Sequence, residues 1–480
     1  MTYRGIRYNL AMQNDTIAAI ATPQGVGGIG VIRVSGSDAF ALVSPLFRRR
    51  ANDQIPPSHQ LTYGHIIDPQ SQELLDEVLV AFMRAPHTYT REDVVEIQGH
   101  GGPLVLKRLL RAVLAQGARM ANPGEFTLRA FLNGRLDLAQ AESVMDLIES
   151  QTEVGRRLAV QQLQGQLSSQ LQEARHTILG VVARIEASID FPEDDVPTPT
   201  VAELVPIVSL AQRQIAQLLA GSEQGRLYRQ GLRTAIIGRP NVGKSSLLNA
   251  LLRTERAIVT SVAGTTRDTV EEVANLRGIP LHLIDTAGIT PTDDPVEQIG
   301  IQRSRAAAES ADVILLVFDG ATPLTVQDRQ IMDELQALGF GAREKSSSRS
   351  VVLVLNKADC QQRVETGELQ EIWPDAPLVA TSTLSGQGLA DLEEAIVELA
   401  LSGKLQSNEN VLVTSARHQD ALRRAAEHID AAIASLQKNL PLDFVSIDLR
   451  AGYDVLGEVT GETASDDLLD KIFHEFCIGK

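Results

Sequence analysis

The run Gly238-Arg-Pro-Asn-Val-Gly-Lys-Ser245 constrains this chain more than any other, because it fixes a strand, a tight turn and a helix in that order. It matches the G-x-x-x-x-G-K-[ST] phosphate loop at every fixed position. Glycines let successive backbone N–H groups, here those of Asn241, Val242, Gly243 and Lys244, turn inward onto phosphate oxygens. Lys244 brings a point charge to the β and γ phosphates, and the Ser245 hydroxyl suits Mg²⁺. The flanks agree. Residues 232–237 read as a buried strand, and 246–252, starting at Ser246, as a helix whose N-terminus adds its dipole.

A phosphate loop alone does not choose a base, so ATP and GTP both stand at this point. Three later segments favour guanine. Asp285-Thr286-Ala287-Gly288 follows a strand-like run at 281–284, where a carboxylate can hold the Mg²⁺ shell and a glycine N–H can meet the γ phosphate. Asn356-Lys357-Ala358-Asp359 follows a second strand at 351–355. A carboxylate there accepts from N1–H and the exocyclic amine of guanine, and adenine offers no such pair. Thr381-Ser382-Thr383, with Leu384 after them, follow a third strand at 378–380 and would close over the base.

The 480 residues suggest about three domains. A hydrophobic fraction of 43% supplies ordinary cores, and no segment approaches the roughly 20 apolar residues of a membrane span. Two cysteines, Cys360 and Cys477, exclude a disulfide scaffold and suit a reducing cytosol, so a cytoplasmic location is expected. The first residues lack the apolar core of a secretory signal, and Met12 is a plainer start than Met1, since residues 15–20 begin the first convincing strand. With 44 basic against 61 acidic residues the net charge is −17, so any nucleic-acid site must be a local basic patch. Arg156-Arg157 and Arg423-Arg424 are such pairs, read first as solvated helix faces.

Residues 16–133 mix short β-like runs (30–34, 77–82, 94–97) with a helix over 103–116, an α+β pattern. From 134 to 189 there is no proline. Leu163, Leu167 and Leu171, continued by Ile178, Val182, Ile185 and Ile189, form one apolar stripe of long amphipathic helices. Phe191 and the prolines after it break the pattern, and a further helix covers 201–219. The nucleotide module follows, with a polar insertion at 341–350, and helical character resumes through 416–437. The expected fold class is therefore multidomain α/β and α+β. An N-terminal α+β domain (1–133) precedes an α-helical domain (134–230 and 403–480), into which a Ras-like P-loop domain (231–402) is inserted.

Several runs together make the chain resemble the MnmE (TrmE) family of tRNA-modification GTPases over essentially its whole length. They are 122–127 (NPGEFT), 130–133 (AFLN), 136–142 (LDLAQAE), 189–193 (IDFPE), the phosphate loop, 264–268 (GTTRD) and the terminal Cys477-Ile-Gly-Lys480, with 99–102 (GHGG) a weaker carrier. The resemblance implies a GTPase acting with an FAD-dependent partner of the MnmG (GidA) type. The pair installs a carboxymethylaminomethyl-type group at C5 of the wobble uridine of certain tRNAs. The one-carbon unit comes from a tetrahydrofolate such as 5-formyl-tetrahydrofolate.

The same resemblance implies residue roles. In the first switch, Thr260, Ser261, Val262, Ala263, Gly264, Thr265 and Thr266 line the nucleotide, with Thr266 joining Ser245 on Mg²⁺. Ile289 stands where many GTPases carry a water-orienting glutamine, and it has no polar atom for that work. The implied substitutes are Glu297, acting through a bridging water, and a K⁺ ion held by Asn241, Thr260, Val262 and Thr265. The ion site forms when two G domains meet, so a homodimer is implied. The folate would lie on Arg33, Glu96, Arg135 and Lys480. Arg135 is a departure, a planar fork in place of a lysine's point charge. Cys477 acquires a candidate role in one-carbon or uridine chemistry, against the plainer reading of a small inert hydrophobe. His100 is given no catalytic role. The rival function is a regulatory RNA-binding GTPase switch in ribosome assembly, which shares every nucleotide motif and lacks the N-terminal module and the terminal tetrapeptide.

Overall fold

The computed structural model describes residues 15–23, 25–49, 56–191, 198–254, 272–284, 308–340, 350–401 and 413–480. The N-terminal module is a sheet of β1 (Ile17–Ile20), β2 (Ile29–Ser35), β3 (Phe47–Arg48), β4 (Leu61–Ile67), β5 (Leu74–Met83), β6 (Val94–His100) and β7 (Arg119–Met120). Its order is β3-β4-β5-β6-β2-β1-β7, antiparallel except for the β1–β7 pair. Strand alternation sorts the side chains. Ile32, Val34, Val80 and Ile97 face helix α2 (Pro103–Ala115), with α1 (Ala39–Val43) packed on the same core. Arg33, out of phase with its neighbours, falls on the opposite face with Glu96 and Phe126 of helix α3 (Glu125–Leu132).

The helical domain comprises α4 (Leu138–Glu149), α5 (Glu153–Leu163), α6 (Gln166–Asp190), α7 (Val201–Ala220) and α8 (Ser222–Gln230) before the insertion. After it come α13 (Ala416–Gln437), α14 (Leu442–Thr460) and α15 (Asp466–His474). Its core joins Leu167, Leu171, Ile178, Val182 and Ile185 of α6 to Leu204, Val208 and Ile215 of α7 and to Leu422, Ile429, Leu449 and Leu456. The expected stripe is cut at both ends. Leu163 lies on α5, because Gly165 in a left-handed conformation separates the two helices. Ile189 is 42% exposed in the last turn of α6. Asp137 starts α4 with a capping box to Gln140, and Thr152 caps α5.

The inserted module has strand order β13-β12-β11-β8-β10-β9. These are β8 (Leu232–Ile237), β9 (Glu272–Leu276), β10 (Ile279–Ile284), β11 (Val313–Asp319), β12 (Ser350–Asn356) and β13 (Leu378–Thr381). All neighbours are parallel except β9, which runs against β10. Every residue of β11 is buried, as a parallel strand covered on both faces requires. Helices α9 (Lys244–Thr254), α10 (Val326–Ala337), α11 (Thr366–Ile372) and α12 (Leu389–Ala400) supply the cover. The polar run at 341–349 lies outside the described residues.

Apolar contacts cross both domain boundaries. Leu158 of α5 and Tyr228 of α8 join the core of β8, β10 and α9. Thr152 Oγ1 donates to Gly278 O in the β9–β10 turn at 2.8 Å. On the other side, Leu128 and Phe131 of α3 pack with Leu138 and Met145 of α4 and Leu469 and Phe473 of α15. Successive turns of α4 also carry acids that bind both flanks of the insertion. Glu142 meets Arg417 and buried His418 of α13 at 2.8 and 2.6 Å, and Asp146 meets Arg229 of α8 at 2.6 Å.

Candidate functional site: a guanine-nucleotide loop set and a basic sheet face

The phosphate loop leaves β8 at the centre of its sheet, where the strand order reverses and ligands of open α/β sheets bind. Gly243 accepts the first helical bond of α9, from Leu247 N at 2.9 Å, so the N–H groups of Lys244, Ser245 and Ser246 have no intrahelical partner. Those three donors and the helix dipole make an anion site. Lys244 Nζ donates to Gly238 O and Arg239 O, each at 2.7 Å, which leaves its third N–H for a phosphate oxygen. Burial lowers its pKa to about 8, with Arg239 adding to the effect. Ser245 and Ser246 are exposed beside it, and Asn241 holds a left-handed φ of 62°.

The base-reading loop is tied to the phosphate loop by a buried bond, Asn356 Nδ2 to Val242 O at 2.8 Å. That contact requires a glycine next door. A Cβ on Gly243, whose φ is +101°, would stand 2.1 Å from Asn356 Nδ2. Asp359 is exposed at the loop's end, and Ser382 Oγ donates to its Oδ1 at 2.6 Å. That hydroxyl, and then its own backbone N–H, hold the carboxyl below the usual range, so Asp359 is an acceptor. Ala358 N donates to Thr381 O at 2.9 Å, which sets Ser382 and Thr383 beside the loop; Leu384 is 88% exposed. The expected nucleotide residues that fall among the described ones are thus gathered at one sheet end. Residues 260–266 (Thr260, Ser261, Val262, Ala263, Gly264, Thr265, Thr266), residues 285–288 (Asp285, Thr286, Ala287, Gly288) and Glu297 lie outside the described residues.

The second site lies on the α3 face of the N-terminal sheet. Arg33 Nε donates to Glu96 Oε1 at 2.9 Å across the β2–β6 register. Its Nη1 donates to Gly479 O at 3.3 Å, which brings the terminal tetrapeptide onto the sheet. Gly479 is required there: with φ +96°, a Cβ would stand 2.3 Å from Ile20 O. Gly124 N donates to Cys477 O at 3.4 Å, and Cys477 is exposed. Burial, with Arg33 nearby, lowers the Lys480 pKa, and Glu96 opposes the shift. Arg33, Glu96 and Lys480 therefore form one cluster. Arg135 joins it through Tyr89: its Nη1 donates to Tyr89 O at 3.1 Å, and Arg135 and Arg33 both stack on the Tyr89 ring, 4.7 and 5.3 Å from its centroid. Neither Tyr89 nor Phe126 was legible as a site residue, because nothing in the sequence places an aromatic between two arginines distant in the chain.

Other candidates resolve into ordinary contacts. His100, exposed at the end of β6, has its Nδ1 2.7 Å from Asp76 Oδ1 of β5. Arg156 pairs with Glu153, and Arg423 and Arg424 pair with Asp420, Glu427 and Glu458. Among the described residues, no cluster of His, Cys, Asp and Glu forms a metal site.

Two family models match the chain: GTP-binding protein TrmE N-terminus over residues 16–135, and MnmE helical domain over residues 138–477. A protein of Pediococcus pentosaceus described as tRNA modification GTPase MnmE is 47% identical, covering 97% of this chain and 98% of its own length. One of Alkaliphilus metalliredigens with the same description is 45% identical over 97% of this chain and 99% of its own. The G domain of the T. maritima FeoB iron transporter is 31% identical over 35% of this chain and 98% of its own, with a TM-score of 0.26.

Proposed function

The chain belongs to the MnmE family of tRNA modification GTPases, and from that premise we propose how its two sites share the work. Hydrolysis of GTP takes place at the end of β8. Lys244 and the first N–H groups of α9 bind the phosphates, and Asp359 reads the base. Ser245 with Thr266 would hold Mg²⁺, and Asn241 with Thr260, Val262 and Thr265 would hold K⁺, together placing positive charge where the transition state accumulates negative charge. The exposed Ser245 hydroxyl and the left-handed turn at Asn241 suit such oxygen ligands. Glu297 orients the attacking water, which Ile289 has no atom to do. Two copies of the G domain meet to complete the ion site.

The sheet face would take a tetrahydrofolate. Glu96 is a carboxylate able to accept two N–H bonds from a pterin, and Lys480 and Arg135 are cations for the glutamate tail. The folate supplies a one-carbon unit when bound. Cys477 lies beside this cluster, exposed and available to that chemistry. A flavoprotein of the MnmG type acts with the chain on C5 of the wobble uridine, and opening and closing of the G-domain pair gates that reaction. No helix is long and apolar enough to cross a membrane among the described residues.

The observation that carries this reading is the coexistence, on one chain, of the Asp359–Ser382 base reader and the terminal tetrapeptide docked on Arg33. A ribosome-assembly switch has use for the first alone. Deleting the gene and weighing the tRNA nucleosides tests it: loss of the modified wobble uridine, restored by the intact gene, is the expected result. Unchanged uridines would leave the assembly switch as the better account. GTP turnover by the purified protein is expected to be markedly faster in K⁺ than in Na⁺, and equal rates would refute Asn241 as a ligand of the ion.

A further inference from the structure

Beyond the expected nucleotide residues, one buried carboxylate stands between the two loops that hold GTP. Asp319 ends β11 and lies opposite Asn356 in the β11–β12 register. Its Oδ1 accepts from Ala321 N at 3.1 Å, which fixes the carboxylate plane. Its Oδ2 takes the Lys357 ammonium at 2.6 Å, and the Arg239 guanidinium lies 3.8 Å from the same oxygen. Arg239 belongs to the phosphate loop and Lys357 to the base-reading loop. Arg239 Nη2 also donates to Thr322 Oγ1 at 2.7 Å, and its Nε lies 3.3 Å from the Asp328 carboxylate as an ion pair.

We infer that Asp319 is a positioning residue for guanine-nucleotide binding, holding one cation from each loop on a single carboxylate oxygen. Two features make the position matter. Lys357 has a left-handed φ of 67°, which an unbranched L residue adopts at a cost, so an outside partner must retain it. Asp359 projects from the turn that Lys357 starts, so fixing Lys357 fixes the base acceptor two residues on. At the other end, Asp319, Thr322 and Asp328 fix the position of Arg239, which belongs to the same loop as Lys244.

The test follows release of a fluorescent N-methylanthraniloyl GDP from the full chain by stopped flow. Asp319→Asn, which keeps the shape and removes the charge, is expected to release it about tenfold faster. The same variant should raise KM for GTP and leave kcat nearly unchanged, since Asp319 touches no reacting atom; a general loosening of the fold would lower both. Lys357→Met, which keeps the stem and removes the ammonium, should accelerate release by a similar factor. The double variant should be no faster than the faster single one, because both remove the same link. Release within twofold of the unsubstituted chain in either single variant, or effects that multiply in the double, would overturn the role of Asp319. The adenine analogue is run alongside: an unsubstituted chain that held both nucleotides equally would overturn the guanine reading and this inference together.

Discussion

Asp359 shows how a single hydrogen bond prepares a residue for recognition. Ser382 donates to one carboxylate oxygen and keeps the group ionised, so its remaining lone pairs are left to accept the two N–H groups of a guanine in the proposed reading. In Asp359→Asn the NH₂ face would confront those donors. GDP affinity is then expected to fall by roughly a hundredfold or more, while xanthosine diphosphate, which presents a carbonyl at that edge, gains. Paired equilibrium titrations check it, and a variant that still prefers GDP would remove Asp359 from base recognition. Asp359 was legible because its spacing from Asn356 is itself the chemical signature. Asp319 was not. Its partner Lys357 lies 38 residues away, and an aspartate closing an apolar run reads only as a strand end.

Helix α4 was legible only as part of a proline-free helical stretch; its capping box of Asp137 and Gln140 was not read, although both residues are local. Its ionic partners were hidden, since they come from α8 and α13 on either side of the insertion. Burial disfavours charge on Glu142, but His418 and Arg417 together hold its carboxyl well below the usual range. Burial pushes the His418 pKa down against the pull of Glu142, whose carboxylate lies 2.6 Å from Nε2, and Nδ1 has no hydrogen-bond partner. Asp146 goes the other way. Burial raises its pKa to about 6; Arg229 opposes the shift, and Glu142 and Glu149 add to it. A carboxyl raised in the folded state retains its proton while the unfolded chain loses it. Asp146 therefore lowers stability as pH climbs from its unfolded value near 4 to about 6, by up to about 3 kcal/mol. His418 and Glu142 act oppositely over overlapping windows, so the informative quantity is a difference between proteins. Denaturant midpoints of Asp146→Asn minus those of the unsubstituted chain should rise across that interval and level off above it. A flat difference would mean Asp146 is ionised throughout.

At the scale of the molecule, the insertion of one domain into another was legible from the return of helical periodicity after a run of parallel-type strands. The shared cores were not, because residues such as Leu158 and Tyr228 carry no mark of the boundary they cross. They matter for any attempt to excise the nucleotide domain. A fragment of residues 231–402 loses the cover of Val154, Leu158, Leu227 and Tyr228. It is expected to melt about 5–10 °C below a fragment of residues 222–402, which keeps the last two. Calorimetry of the two fragments decides it, and equal transitions would show that α8 contributes nothing to that core. The acids of α4 have a mechanical meaning as well. Glu142 and Asp146 stand one helical turn apart, about 6 Å of rise, and each bolts down one root of a handle whose bow is the entire GTP-binding unit. Both roots of that handle therefore end on a single rung, so entry to and exit from the nucleotide unit are fixed to one short helix.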